Sequence, residues 1–188
     1  MKIKSDISVK TLLKKINSGI ISQQVYLDLI EKAKIADLGN HLEWTFDEYC
    51  QICESQNDVD IVKFLLERHK KTLPLLKRLT FNPNVLNLKA KNYLEIIKFA
   101  KYGIADIEIA MSQIKQPPMS KDMIQAGFKS LDFGTVGIAR TVGSFEGIGT
   151  LQAFDLQIHL IIRSLSNMAQ IKICEHDHTE ILRLKNKT

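Results

Sequence analysis

Apolar residues recur at three- and four-residue spacing through most of the chain, and that spacing predicts helices. Val9, Leu12, Leu13 and Ile16 share one face of a segment that Ser8 can cap and Ser18-Gly19 can end. Ser22 opens a second helix, expected through Leu38, with Val25 and Leu29 beside Tyr26, Ile30 and Ala33. Gly39 stands where a C-terminal cap belongs. Thr45-Phe46-Asp47-Glu48 has the form of a capping box, in which hydroxyl and carboxylate each take a backbone amide at the helix start. The helix it opens runs through Tyr49, Cys50, Ile52 and Cys53. Asn57-Asp58 then caps VDIVKFLLERHKKT, whose stripe is Val59, Val62, Leu65 and Leu66 and whose basic end suits the helix dipole.

Pro74 forces a break or a new first turn, LPLLKRL is a short helical piece, and Asn82-Pro83-Asn84 is the clearest turn or linker in the chain. From Leu86 the pattern predicts a long helix carrying Leu94, Ile97, Ala100, Ile104, Ile107 and Met111, stopped by Pro117-Pro118. Gly103 inside it costs about 1 kcal/mol relative to alanine and marks a kink or a close crossing. Ser120 caps KDMIQAGFKSL; a short helix follows over 134–142, then a tight loop over 144–149. Thr150 opens LQAFDLQIHLIIRSLSNMAQI with a bend at Asp155, and a charged helix continues to about Leu184. No segment alternates with period two and no repeat recurs. The expected fold is all-α, a multi-helix orthogonal bundle. It divides into a basic helical subdomain over 1–82 and a second over 83–188 that holds a glycine-rich packing stretch.

That stretch, Pro117 to Leu165, changes the picture most. Six of the nine glycines lie between Gly127 and Gly149. Its charges cancel, Lys121, Lys129, Arg140 and Arg163 against Asp122, Asp132, Glu146 and Asp155, so the chain's net charge of +5 is carried elsewhere. A neutral, apolar, glycine-punctuated segment between charged helices predicts close backbone packing or a contact surface. Phe128, Phe133, Ile138, Phe145, Ile148 and Leu151 are its candidate protein-contact residues.

Composition excludes more than it assigns. An apolar share of 45% with 25% charged residues is that of a globular chain and not a disordered one. The longest apolar runs fall far short of the roughly 20 residues of a membrane span. The basic N-terminus has no apolar core or cleavage site of a secretory signal, and three cysteines point to reduced thiols in a cytosolic compartment. Basic residues are scattered over several segments, which suits solvated helix faces better than a nucleic-acid footprint.

Candidate chemistry is thin. Cys50 and Cys53 have metal-ligand spacing, and Cys174, His176 and His178 could supply further ligands. The first pair falls mid-helix about 120 positions away, so two core cysteines are the plainer expectation. The glycines at 134, 137, 143, 147 and 149 fit no phosphate loop, although Gly147-Ile148-Gly149 before a helix invites an anion. His159 is expected as a partly buried, hydrogen-bonded histidine, and His41 as a loop histidine with no nucleophile beside it. No catalytic, cofactor or metal residue is assigned, and the chain is not expected to be an enzyme. The aromatic residues Tyr93, Phe99, Tyr102, Phe128, Phe133, Phe145 and Phe154 are first of all core.

The run from Tyr93 to Leu165 resembles small helical tail or tail-assembly proteins of bacteriophages, especially phages of Bacteroidetes-like hosts. The shared features begin with the helix YLEIIKFAKYGIADIEIAMSQI and the break at Pro117-Pro118. The AGF of Ala126 to Phe128, the FG of Phe133-Gly134, the turn over 143–149 and a helix starting near LQAFDL follow. The resemblance implies a non-catalytic virion structural protein or assembly factor in the virion or host cytoplasm. It would act as a homo-oligomer or contact other tail and neck proteins, without cofactor or membrane. A different class remains open, a basic helical nucleic-acid-binding regulator built on helices 8–17 and 22–38. Its recognition helix over 26–34 carries Asp28 and Glu31, which phosphates disfavour.

Overall fold

A computed structural model describes residues 7–73, 84–115, 118–119 and 134–185. Among these the architecture is all-α, with eight α-helices, two 3-10 turns and no strand. We number the helices α1 (Val9–Asn17), α2 (Gln23–Lys32), α3 (Phe46–Glu54), α4 (Asp58–Thr72), α5 (Ala90–Ser112), α6 (Gly134–Glu146), α7 (Thr150–Phe154) and α8 (Ile158–Lys185). The segments expected at 74–83 and 120–133 lie outside the described residues.

The chain forms two compact units that are interleaved in sequence: Met1–Asn40 with Gln51–Ala105, and His41–Cys50 with Asp106–Thr188. This division does not coincide with the expected 1–82 and 83–188, since residues on both sides of Pro83, which is itself outside the described residues, belong to the first unit. Helices α3 and α5 each contribute residues to both units.

In the first unit the predicted caps form. Ser8 Oγ accepts from Thr11 N at 3.3 Å and Asn57 Oδ1 from Asp60 N at 3.0 Å. An isolated antiparallel bridge joins the entries of α1 and α5, with Val9 N donating to Leu88 O and Ala90 N to Ile7 O at 2.9 and 2.8 Å. Val9, Leu12, Ile30, Ile52, Val62, Leu65, Tyr93 and Ile97 are core residues.

Helix α2 departs from expectation. It stops at Lys32, six residues before Leu38, and Ala33 is already extended. The competing interactions come from α5: Lys98 Nζ donates to the carbonyls of Glu31 and Ala33, and Ala36 N donates to Glu95 O at 3.2 Å. A charged donor on carbonyls at the helix end, with the Ala36 amide drawn off to α5, outweighs the propensity of the Lys34–Leu38 sequence. The long helix likewise starts later than Leu86, after a 3-10 turn over Val85–Asn87, and runs without interruption through a buried Gly103.

In the second unit the capping box of α3 is complete, Thr45 N donating to Glu48 Oε2 at 3.0 Å and Glu48 N to Thr45 Oγ1 at 3.1 Å. The segment around it is fastened to the start of α8: Phe46 N donates to Leu156 O and Ile158 N to Trp44 O, each at 2.8 Å. Phe46 stacks on Phe154 with centroids 5.5 Å apart, and Trp44, Phe46, Ile107, Val142, Ala153, Ile158 and Ile161 are fully buried. The bend expected at Asp155 is a break that separates α7 from α8.

Candidate protein-contact surface

The glycine-rich stretch folds as a helix, a turn and a second helix. Ala139, Val142 and Gly143 form the buried side of α6. Gly143 sits where the chain folds back on itself: Ile148 N donates to Gly143 O at 2.8 Å, and a Cβ at 143 would meet Ile148 O at 3.0 Å. Close backbone packing, one of the two roles expected of this stretch, holds at this position. The turn itself needs Gly147, whose φ is +72°. α6 runs to Glu146, four residues beyond the expected 142, which shortens the loop to 147–149.

The candidate contact residues take different positions. Phe128 and Phe133 lie outside the described residues. Ile138 is half-buried and lines a groove of about 350 Å³ with Met111, Ile114, Leu165 and Met168. Phe145, 39% exposed, lines a second groove of about 480 Å³ with Asn167, Ile171 and Cys174. Ile148 is half-buried in the turn, whereas Leu151 stands 83% exposed on α7. Two of the six thus flank grooves along α8, one closes the turn, and one projects alone. Ser164, buried on α8, donates to Glu146 Oε1 and fixes the end of α6 against that helix.

The far half of α8 forms as the charged helix expected to about Leu184, and it also carries an exposed apolar side. From Cys174 to Lys185 every residue but Glu180 is exposed, including Ile181 at 51% and Leu182 at 46%. Ile171, Cys174, His178 and Ile181 fall on one side of it by spacing. The signal is present in the sequence, but the surrounding charges give the segment the look of a polar tail.

The remaining candidates are plain. Among the described residues no group of three or more His, Cys, Asp or Glu is gathered to hold a metal ion. Cys50 is buried but Cys53 and Cys174 are exposed, so the expectation of two core cysteines holds for Cys50 alone. His159 is exposed, not partly buried; its Nδ1 lies 3.2 Å from Leu42 O. His41 Nε2 lies 3.3 Å from Asp106 Oδ2, with its ring edge-on to Trp44. At the start of α7, Gly149 N is taken by Gln152 Oε1 at 2.9 Å.

One polar cluster in the first unit has no signal in the residue pattern. Tyr26 Oη donates to Asp58 Oδ2 at 2.7 Å, and Tyr93, fully buried, has a hydroxyl with no hydrogen-bond partner at ordinary distance. Burial pushes the Tyr93 hydroxyl up to about 12. Burial, with Tyr93 and Asp58 beside it, raises Tyr26 further. Both hydroxyls are neutral near pH 7.

No protein-family model, no curated protein and no solved structure matches this chain. No helix among the described residues is long and apolar enough to cross a membrane.

Proposed function

We propose that this chain is a non-catalytic, phage-type structural or assembly protein, a helical adaptor in the virion or host cytoplasm that binds other virion proteins or further copies of itself. The observation that supports this reading best is the apolar line along α8, where Phe145 and Ile171 flank an open groove and Ile181 and Leu182 stand exposed further along the helix. Apolar burial there supplies affinity, and the interspersed Lys172, Glu175, Glu180 and Arg183 set orientation and rate. Leu151 offers a second, smaller contact point.

The test is mass by light scattering and sedimentation over a concentration series, on nuclease-treated and untreated protein. The expected result is a nucleic-acid-free oligomer, or a nucleic-acid-free chain that binds a purified virion protein, weakened in either case by Phe145→Asp or Leu151→Asp. A monomer that carries nucleic acid until digestion, with affinity falling steeply with salt, would overturn this reading in favour of a nucleic-acid-binding regulator.

A further inference from the structure

Residues 33–38 leave the helix although no glycine or proline stands between Ala33 and Gly39. For α2 to continue to Leu38, Glu31 O, Lys32 O and Ala33 O would accept from the amides of Ile35, Ala36 and Asp37. Helix α5 takes a member of each pair instead. Lys98 Nζ donates to Glu31 O and, at 3.0 Å, to Ala33 O, while Ala36 N donates to Glu95 O at 3.2 Å. The segment thus lies on α5 as a strap, running from Lys98 back to Glu95. We propose that this strap is one of two states of residues 33–38, the other being an α2 that extends to Leu38, and that the Lys98 ammonium is the catch that selects between them.

Both states are prepared in the fold. Lengthening an existing helix is close to balanced per residue, so a few strong bonds decide the outcome. Lys98 supplies them: hydrogen bonds from a charged donor are about twice as strong as neutral ones. Its ammonium is further placed by the Tyr102 ring, 5.5 Å from the centroid. When Lys98 withdraws, the Glu31 and Ala33 carbonyls are open to the amides of Ile35 and Asp37, the partners a helix provides. The end of the longer helix already exists, because Gly39 has φ +93°, in the left-handed region that a helix-ending glycine uses. Lys98 is only half-buried, so losing its charged end leaves neither a cavity nor a buried unpaired charge. The state of the strap sets whether the Glu95–Lys98 side of α5 is covered. The device lies wholly in the first unit and does not rest on the assembly reading above.

The experiment uses the full chain, isotopically labelled, and reads the backbone carbon chemical shifts of residues 33–38 together with hydrogen exchange at the same amides. Lys98→Met keeps the length of the side chain and removes the donor; Lys98→Ala removes both and serves as the second variant. In each, the shifts should move from extended to helical values. Exchange of the Ile35 and Asp37 amides should slow by on the order of tenfold. Lys101→Met, which removes an exposed lysine of α5 that does not touch the strap, should change neither. Thermal melting followed by circular dichroism shows that each variant folds. Shifts that stay extended in both Lys98 variants overturn the two-state reading, because the strap then holds without its catch. Shifts that move to random-coil values overturn it as well, because the segment then has no helical alternative. An equal change in Lys101→Met removes Lys98 as the selecting group.

Discussion

Replacing Gly143 by alanine sets two effects of opposite sign against each other. Alanine favours a helix interior over glycine by about 1 kcal/mol. The new methyl, however, would lie 3.0 Å from Ile148 O and 3.3 Å from Gly149 C and O. These are backbone atoms, so no side chain can rotate away. The turn is further held by the 2.8 Å hydrogen bond from Ile148 N to Gly143 O. Relief requires α6 and the turn to separate by a few tenths of an ångström, and overpacking of this kind costs about 1–3 kcal/mol. The net expectation is a loss of up to about 2 kcal/mol, a fall in Tm of up to roughly 8 °C for a chain of this size. Urea unfolding followed by circular dichroism at constant m reads it directly. Gly147 provides the contrast, because a Cβ there has nothing within 4 Å but φ is +72°. Gly147→Ala should cost about 1–2 kcal/mol and Gly147→Asn less, because asparagine tolerates that region. A Gly143→Ala protein about 1 kcal/mol more stable than the parent, the full helix-propensity gain, would refute the close approach as the reason for glycine.

Two further expectations concern the stability of each unit. Tyr93 is held neutral in the fold up to about pH 12 against 10.0 in the unfolded chain, so its contribution is complete below pH 10 and is lost as pH rises. By pH 11 the loss is on the order of 1 kcal/mol, and Tyr93→Phe should flatten that decline while leaving stability at pH 8 equal or higher. An unchanged alkaline slope in a denaturant series at stepped pH would count against the burial of this hydroxyl. Thr45→Ala removes the acceptor for Glu48 N and should cost about 1 kcal/mol, measured by thermal melting, with Thr45→Ser close to the parent.

How much of this was legible in the sequence depends on whether a signal is local. The capping box at Thr45, the caps at Ser8, Ser22 and Asn57, and the break near Asp155 are written in neighbouring residues, and each forms where the pattern places it. The end of α2 is not local. It depends on Lys98, more than sixty positions away, donating to carbonyls that a continued helix would have used. The Tyr26–Asp58 hydrogen bond and the two-unit division are likewise set by long-range contacts that carry no period. At the candidate surface, the apolar content of α6 was visible, but the exposure of Ile171, Ile181 and Leu182 follows from which faces find neighbours. Periodicity gives a face without saying what covers it.

The interleaving of the two units bears on the order in which the chain can fold during synthesis. Residues 41–50, with the large side chains of Trp44 and Phe46, leave the ribosome long before the residues at 106 and beyond that complete their unit. The first unit in turn lacks Tyr93 and Ile97 until α5 emerges. A chain arrested near residue 83 holds no finished unit, and its Trp44–Phe46 segment has no native partner to cover it. Fragments cut there should therefore need chaperone protection or aggregate, whichever half is expressed.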